Sequence, residues 1–411
     1  MIFSTPALRI GKSPGKADKG QSGKPVPRSI VISGSLAQKP LQGGHTWVLL
    51  QYLLGFRHLG WKVIFIDALA SDMCFDRDGE RCALKDSVNW RVYRDVLSRF
   101  GLAEDACLIL DGGEQFIGLS RQELLNSVRN SALLLNIMGY LDQEEILGQA
   151  SRRVFLDIDP GFGQMWAELG LVNLFEGHDD FVTIGERIGS PECSIPTCEL
   201  DWITTPQPVV LEHWPASYSP APEIFSSVVS WRGAYGPITY KSETYGLRAH
   251  EFRKFVELPV QSGQPFRLAL NIHPDDSKDL DLLRRNHWEI LDPAVTVSDC
   301  WSYRKFIQDS AAEIMVAKNL YVKSNSGWFS DRSICYLASG KPVLAQDTGL
   351  QDLLPNGEGL LLFSTMDEAL AQIDDIVSRY QIHQHAAREI AESCFESGKV
   401  LRNILRQLGV D

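Results

Sequence analysis

Short apolar runs alternate along the chain with longer stretches whose apolar residues recur every three or four positions. The runs predict buried parallel strands, and the longer stretches predict helices. In the first half, the predicted strands are 29–33, 62–67, 107–110, 132–136, 153–157, 181–184 and 209–211. In the second half, they are 226–230, 266–272, 288–291, 320–322, 343–345 and 359–363. Strands that alternate with helices predict an α/β fold with two parallel sheets.

The chain has 411 residues, which is too long for a single hydrophobic core. Prolines concentrate in 204–222 and predict a hinge. We therefore expect an N-terminal domain over 29–215 and a C-terminal domain over 216–383. Residues 384–411 predict a last helix. Residues 1–28 are rich in Gly, Pro, Ser and Lys, and they predict a mobile tail because they cannot bury enough apolar surface.

The stretch 319–350 predicts a strand, a turn-rich loop, a helix and a second strand. Ser330 suits the N-cap of this helix, Gly340 suits the left-handed position after it, and Pro342 prevents its continuation. A loop that leads into a helix aims free main-chain N–H groups and the positive end of the helix dipole at a ligand. Phosphate is the usual ligand of such an arrangement, and Arg332 would add a charge-assisted hydrogen bond.

Residues 321–349 resemble the donor-binding half of GT-B fold glycosyltransferases, in which such a loop and helix hold the diphosphate of a nucleotide sugar. The resemblance implies two doubly wound, Rossmann-like domains that face each other across a cleft, and a last helix within 384–411 that crosses back onto the N-terminal domain. It also implies transfer of a sugar from a nucleotide-diphospho donor to a small-molecule or glycan acceptor, without a metal ion or a further cofactor. The acidic pair of many retaining members would fall at Gly327 and Cys335 and is missing, so the resemblance does not imply retention of configuration. Deprotonation of the acceptor by His45, discussed below, favours inversion.

The resemblance places the donor on the C-terminal domain. Arg232 can grip a phosphate with two nitrogens, although a surface arginine beside a packed tryptophan is the alternative. The segment 288–292 lies where GT-B proteins hold the base and ribose. For residues 328–330, the alternative to donor binding is that they only pack against and cap a helix. The predicted donor-binding residues are Ser230, Trp231, Arg232, Gly233, Leu291, Asp292, Gly327, Trp328, Phe329, Ser330, Asp331 and Arg332.

His45 follows Gly43 and Gly44 at a predicted loop-to-helix junction. There an imidazole can take a proton from an acceptor hydroxyl, and the resemblance implies this role for a histidine after the first strand. The alternative is a histidine that caps the helix or contacts phosphate. The predicted acceptor-binding residues are Gly43, Gly44, His178 and Glu186.

Asp157 and Asp159 end a predicted strand. Carboxylates two positions apart on a strand point the same way and can share a cation. The metal-independent resemblance instead favours catalytic carboxylates that orient His45 or face the acceptor, with turn-capping aspartates as the alternative.

The net charge of −12 and a pI near 5.3 argue against nucleic acid or an anionic membrane as the main partner. The eight cysteines lack the paired spacing of a zinc site, which favours free thiols in a reducing compartment. No apolar run has the length of a membrane span, so we expect a cytoplasmic protein.

The alternatives to a glycosyltransferase are an epimerase or hydrolase of nucleotide sugars on the same fold, and a non-catalytic binding protein.

Overall fold

The computed structural model describes residues 28–233 and 235–410, so the predicted tail lies outside them except for its last residue. Eight strands form the N-terminal sheet: β1 (Ser29–Gly34), β2 (Lys62–Leu69), β3 (Ala106–Leu110), β4 (Gln115–Gly118), β5 (Leu133–Ile137), β6 (Arg153–Asp157), β7 (Asp180–Thr183) and β8 (Trp202–Thr204). Their order is β4-β3-β2-β1-β5-β6-β7-β8, and only β3 and β4 pair antiparallel. Its α-helices are α1 (Gly43–His58), α2 (Val88–Arg99), α3 (Arg121–Arg129), α4 (Glu144–Leu147) and α5 (Phe162–Glu168).

The second half of the chain forms a parallel six-stranded sheet and a short hairpin. Its strands are β9 (Phe225–Ser230), β10 (Ile238–Tyr240), β11 (Glu243–Tyr245), β12 (Phe266–Asn271), β13 (Trp288–Leu291), β14 (Ala312–Met315), β15 (Val343–Gln346) and β16 (Leu360–Phe363). The sheet order is β13-β12-β9-β14-β15-β16, while β10 and β11 pair with each other. This is the Rossmann order, whose direction reverses between β9 and β14, and the N-terminal sheet reverses in the same way between β1 and β5.

Ten α-helices belong to the described part of this half. They are α6 (Arg248–Phe252), α7 (Leu258–Ser262), α8 (Ser277–Arg285), α9 (Pro293–Thr296), α10 (Cys300–Gln308), α11 (Asn319–Ser324), α12 (Asp331–Ala338), α13 (Met366–Ser378), α14 (Tyr380–Ile390) and α15 (Ser397–Gln407). Helix α12 begins as predicted, because the Ser330 hydroxyl accepts a hydrogen bond from the Arg332 N–H at 3.3 Å. Gly340 after it has a φ of 69°, the left-handed conformation that glycine adopts without strain.

Two of the predicted strands are wrong. Residues 320–322 lie in helix α11, and the strand that pairs with β9 and β15 is β14, a few residues earlier. A three-residue apolar run carries no periodicity, so it does not separate a strand from a helix. Residues 209–211 form one isolated bridge and the start of a 3-10 turn. The other predicted strands are present with small shifts at their ends.

The predicted last helix is interrupted. A π-helical turn at 391–395 follows α14, and Glu396 adopts an extended conformation and bridges to Val209. Its carboxylate then caps α15 by accepting hydrogen bonds from the N–H groups of Gly398 and Lys399. Helix α15 packs against α1, so the chain returns to the N-terminal half, as the resemblance implies.

One apolar core runs from the N-terminal sheet through α1 into the C-terminal half. Within it, the Trp47 indole N–H donates a hydrogen bond to the Cys300 carbonyl oxygen at 2.7 Å. The two sheets are thus joined by packing, while the exact domain boundary near residue 215 stays a prediction. None of the described helices combines the length and apolar composition of a membrane span.

Candidate active site

A cleft of about 1050 Å³ separates the carboxyl ends of the two sheets. Its walls come from the loops after β1, β5 and β6 on one side and after β9, β12 and β13 on the other. Doubly wound sheets bind ligands at this edge, next to the point where the strand order reverses. Of the predicted site residues, the cleft is lined by Gly43, Gly44, His45, Asp159, Ser230, Leu291, Asp292, Asp331 and Arg332.

His45 lies in the first turn of α1 and faces the cleft. Its Nε2 atom lies 2.9 Å from the hydroxyl of Ser35, which is fully buried, and its ring meets Tyr140 edge-on. Burial, followed by the nearby Lys39 ammonium, lowers the pKa of His45 to about 3. The imidazole is therefore neutral at physiological pH with a lone pair free for a proton, although so low a pKa also makes it a weak base.

Gly43 and Gly44 let the two halves of the molecule approach closely. A Cβ atom at Gly43 would overlap the main-chain carbonyl of Asp299 and lie 2.7 Å from the Val297 oxygen. At Gly44 it would lie 2.9 Å from the ring of Tyr303. The double glycine thus serves the contact between α1 and the loop before α10, in addition to lining the cleft.

The two carboxylates at the end of β6 do not share a site. Asp157 is buried and accepts hydrogen bonds from Gln164 at 2.7 Å and Thr183 at 2.9 Å, and burial raises its pKa to about 6. Asp159 reaches across the cleft, where both of its oxygens lie 2.7 Å from the Lys318 Nζ atom. Asp157 does not have the cleft position that the predicted catalytic role requires. Its side chain points away from the cleft and stabilises the turn after β6.

Arg248 is a cleft residue that the sequence analysis missed. It begins α6, is 8% exposed, and bonds the carbonyl oxygens of Val316 (3.0 Å) and Ser230 (3.3 Å). No carboxylate lies within ion-pair distance of it in the described residues. Burial, followed by the charge of Arg332, lowers the pKa of Arg248 to about 10, so it stays protonated at pH 7. This cation stands at the reversal point of the C-terminal sheet without a carboxylate in direct contact, although the charges of Asp159 and Asp331 act on it from farther away.

Nothing in the sequence singles out Arg248. It follows β9 by 18 residues, since the β10–β11 hairpin is inserted between the strand and α6. An arginine that directly follows a strand, such as Arg232, can be recognised from the sequence, whereas Arg248 cannot.

Arg332 lines the cleft, but its charge is already balanced. Its Nε atom donates to the Glu313 carboxylate, which is fully buried, and its Nη1 atom donates to the Val228 carbonyl oxygen at 2.8 Å. The start of α12 is also occupied, because Ser330 caps it and Asp331 places a negative charge in its first turn. The protein's own Ser330 and Asp331 therefore already occupy the helix start at which the sequence predicts an anion site.

Three further predicted donor residues lie outside the cleft lining, on the loop after β9. Trp231 is buried and its indole N–H donates to Asp279 at 2.8 Å. The Arg232 side chain is 58% exposed and pairs with Asp276, and Gly233 has open space around it. The Arg232 guanidinium is thus engaged by Asp276 outside the cleft, and its contact with a phosphate stays a prediction.

The segment 327–330 packs the two halves together and does not line the cleft. Gly327 has a φ of 68° and lies against the main chain of Arg187. Trp328 stacks on Tyr321 with a centroid distance of 4.3 Å. Phe329 stacks on Phe395 at 5.5 Å, and Ser330 is the buried cap. The packing alternative, not the donor role, describes these residues.

The predicted acceptor residues His178 and Glu186 also lie outside the cleft lining. The ring nitrogens of His178 bond Asn136 at 3.0 Å and the Phe175 carbonyl at 3.2 Å, so its contacts are internal. Glu186 is largely buried beside the contact between Gly185 and Trp328, and burial raises its pKa to about 7.

In the described part of the chain, no cluster of three or more His, Cys, Asp or Glu residues could hold a metal ion.

Comparisons with solved structures find glycosyltransferases. The chain resembles an alpha-glucosyltransferase in complex with UDP, with 11% identity, a TM-score of 0.56 and coverage of 93% of this chain and 99% of that chain. It also resembles Anabaena HepE in complex with UDP-glucose, with 12% identity, a TM-score of 0.56 and coverage of 93% and 99%. A glycosyltransferase from Rickettsia africae matches with 13% identity, a TM-score of 0.51 and coverage of 93% and 97%.

No protein-family model matches the chain, and no curated protein matches its sequence. At such low identity, the structural likeness establishes the fold. The predicted GT-B-like fold of two Rossmann-like units across a cleft is confirmed.

Proposed function

We propose that the protein transfers a sugar from a UDP-sugar donor to an acceptor bound at the N-terminal wall of the cleft. The observation that carries this proposal is Arg248, a buried cation without a carboxylate partner at the reversal point of the C-terminal sheet. A buried charge is costly unless it is compensated, and a diphosphate from the ligand would supply a counter-charge in direct contact with the guanidinium. The resemblance to structures that contain UDP supports uridine as the nucleoside.

The donor would lie along the C-terminal wall. Leu291 and Asp292 follow β13 and would border the nucleoside, while Ser230 and Arg248 would border the diphosphate. During transfer the bond between the sugar carbon and the phosphate oxygen breaks, and negative charge develops on the departing diphosphate. A fixed guanidinium stabilises that charge without a metal ion.

The acceptor would lie against the loop after β1, where His45 is the candidate base. Neutral imidazole takes the proton of the attacking hydroxyl, and attack on the face opposite the leaving group inverts the configuration. The net charge of −12 supports a small-molecule or glycan acceptor over a nucleic acid, whose phosphates would be repelled. The eight cysteines are free thiols, which supports action in a reducing, cytoplasmic compartment.

A binding titration with UDP tests the central step. Arg248→Met should weaken UDP binding at least about tenfold, because a charge-assisted hydrogen bond contributes about 1.5–3 kcal/mol. Arg232→Met is the matched control, since Arg232 is exposed outside the cleft, and it should bind UDP as the parent does. Melting temperatures of both variants and of Arg248→Lys establish that they fold. Equal UDP affinity of the parent and the folded Arg248→Met would reject the site.

Transfer itself is tested with UDP-glucose and a panel of sugar acceptors. We expect UDP release that depends on the acceptor. Release at the same rate without any acceptor would indicate a hydrolase, and binding without release would indicate a non-catalytic protein.

A further inference from the structure

Lys39 is a cation on the N-terminal wall of the cleft. Its Nζ atom donates a hydrogen bond to the Tyr140 hydroxyl and lies 4.7 Å from the centroid of that ring. No carboxylate of the described residues lies within ion-pair distance of it. Its charge acts on Asp67 from farther away, but burial raises the pKa of that carboxyl to about 8, so Asp67 is largely protonated at pH 7. Lys39 is therefore able to bind an anion in the cleft.

The loop after β1 holds Lys39 in place. The Ala37 N–H donates a hydrogen bond to Asp67 at 2.6 Å, and the Ala37 carbonyl oxygen accepts one from the Asn89 side chain at 2.9 Å. The Lys39 N–H donates to the Leu36 carbonyl oxygen at 3.3 Å. A cation on a loop that is already ordered costs little further entropy when it binds a ligand.

Lys39 and His45 are neighbours on one aromatic ring. The His45 imidazole meets the Tyr140 ring edge-on, with a centroid distance of 6.4 Å, and the Lys39 charge contributes to the low pKa of His45. A molecule built on a single ring can thus place an anionic group on the ammonium and a hydroxyl at the imidazole.

Much of this wall is apolar. It is lined by Pro40, Leu41, Val48, Phe75, Met138 and Ile158. The carboxylates predicted to face an acceptor are not available to sugar hydroxyls, because Asp157 lies outside the cleft lining and both Asp159 oxygens contact Lys318. An acceptor with an apolar body gains more from this wall than a sugar does, since burial of apolar surface drives its binding.

The weak base at His45 favours an acidic hydroxyl. Proton transfer from an aliphatic alcohol to an imidazole with a pKa of about 3 is strongly unfavourable. A phenol such as the tyrosine side chain has a pKa of about 10 and releases its proton more readily. The chemistry of the base and the apolar wall therefore both indicate an aromatic acceptor.

We propose that the acceptor is an aromatic hydroxy acid. Its carboxylate binds Lys39, and its phenolic hydroxyl faces His45. The phenol oxygen forms a bond to the sugar carbon of the donor while the bond from that carbon to the diphosphate oxygen breaks. The phenol proton passes to His45 and then to water, and UDP leaves. The inference rests on the proposed function and narrows the class of acceptor that this site takes.

The test measures dissociation constants in the presence of saturating UDP. The probes are 3- and 4-hydroxybenzoate, their uncharged methyl esters, and glucuronate, which has the charge without the aromatic ring. In the parent, the better hydroxybenzoate should bind at least about tenfold more tightly than its methyl ester and than glucuronate. With UDP-glucose, UDP-galactose or UDP-N-acetylglucosamine as the donor, that hydroxybenzoate should yield a phenolic glycoside.

Variants of Lys39 test the anion contact. Lys39→Met should lower the ratio of acid to ester affinity at least about fivefold, whereas Lys39→Arg keeps the charge and should retain a preference for the acid. Lys305→Met removes the same charge from a side chain that is 75% exposed outside the cleft, and it should keep the ratio of the parent. The ratio is measured within one variant, so a change in stability does not mimic the effect.

Equal binding of acid and ester by the parent, or an unchanged ratio in Lys39→Met, would overturn the proposal. Tighter binding of glucuronate than of either hydroxybenzoate, or binding of the acid without any glycoside product, would also overturn it. A folded parent that does not bind UDP at all would instead overturn the proposed function, and the two failures are thus distinguishable.

Discussion

Lys318 forms an ion pair across the cleft with Asp159, its Nζ atom lying 2.7 Å from both carboxylate oxygens. Asp159 follows β6 of the N-terminal sheet, whereas Lys318 precedes α11 in the C-terminal half. The Tyr321 hydroxyl donates to the same carboxylate. The ion pair therefore fixes the two walls of the cleft relative to each other. Because both Asp159 oxygens contact Lys318, they are not available to share a cation with Asp157.

Removing one member of this pair should destabilise the protein. Lys318→Met leaves the Asp159 carboxylate, whose side chain is 27% exposed, without its cation. We expect a loss of about 1–3 kcal/mol in the free energy of unfolding, between the values for exposed and buried pairs. Urea unfolding of Lys318→Met, Asp159→Asn and the double variant gives the coupling energy. Strictly additive losses would show that the two side chains do not interact in solution.

Gly43→Ala should also destabilise the protein, by about 1–3 kcal/mol, because overpacking against main chain is hard to relax. Its Cβ would overlap the carbonyl of Asp299 in the other half of the molecule. Gly236→Ala is the matched control, since no atom lies within 4 Å of the added methyl group. Melting temperatures of the two variants provide the comparison. A Gly43→Ala variant as stable as Gly236→Ala would mean that the cleft opens in solution.

Most of the fold could be predicted from the sequence, because central strands such as β2 and β3 are buried apolar runs. The failure at 320–322 has a physical cause, since a run of three residues fits a strand or one helical turn equally well. The residues of the site were harder to predict than the strands and helices. Arg232 and Arg248 are both arginines after β9, and only the tertiary structure shows that the first pairs at the surface while the second is buried in the cleft. Side-chain direction in loops is set by contacts distant in the sequence.

The stability of the loop that carries the N-terminal wall should depend on pH through Asp67. Its carboxylate is buried and accepts a hydrogen bond from the Ala37 N–H at 2.6 Å. Burial raises the pKa of Asp67 from 3.8 to about 8. Between these values the folded chain holds a proton that the unfolded chain has lost, so stability falls as pH rises through this range. The slope approaches about 1.4 kcal/mol per pH unit for this single group.

Asp67→Asn checks this dependence because an amide cannot lose a proton in this range and its oxygen can still accept from Ala37. We expect the difference in unfolding free energy between variant and parent to shift in favour of the variant from pH 5 to pH 8. Urea unfolding at several pH values measures it. A difference that does not change with pH would show that Asp67 titrates normally in the folded protein.

The last prediction concerns the pH dependence of catalysis by His45. Because burial and Lys39 lower its pKa to about 3, the imidazole is neutral throughout the range in which enzymes are assayed. The rate of sugar transfer should therefore show no loss of the base between pH 7 and pH 5, where an ordinary histidine would protonate. His45→Ala should lower turnover about 10²-fold, the lower end for a general base because a pKa of about 3 makes the imidazole a weak one, and UDP affinity should be unchanged, since Arg248 grips the donor from the other wall. Ser35→Ala, which removes the 2.9 Å contact to the Nε2 atom, should lower turnover less than His45→Ala does. Turnover of His45→Ala equal to that of the parent would exclude the base role, whereas a parallel loss of UDP binding would place His45 in the donor site.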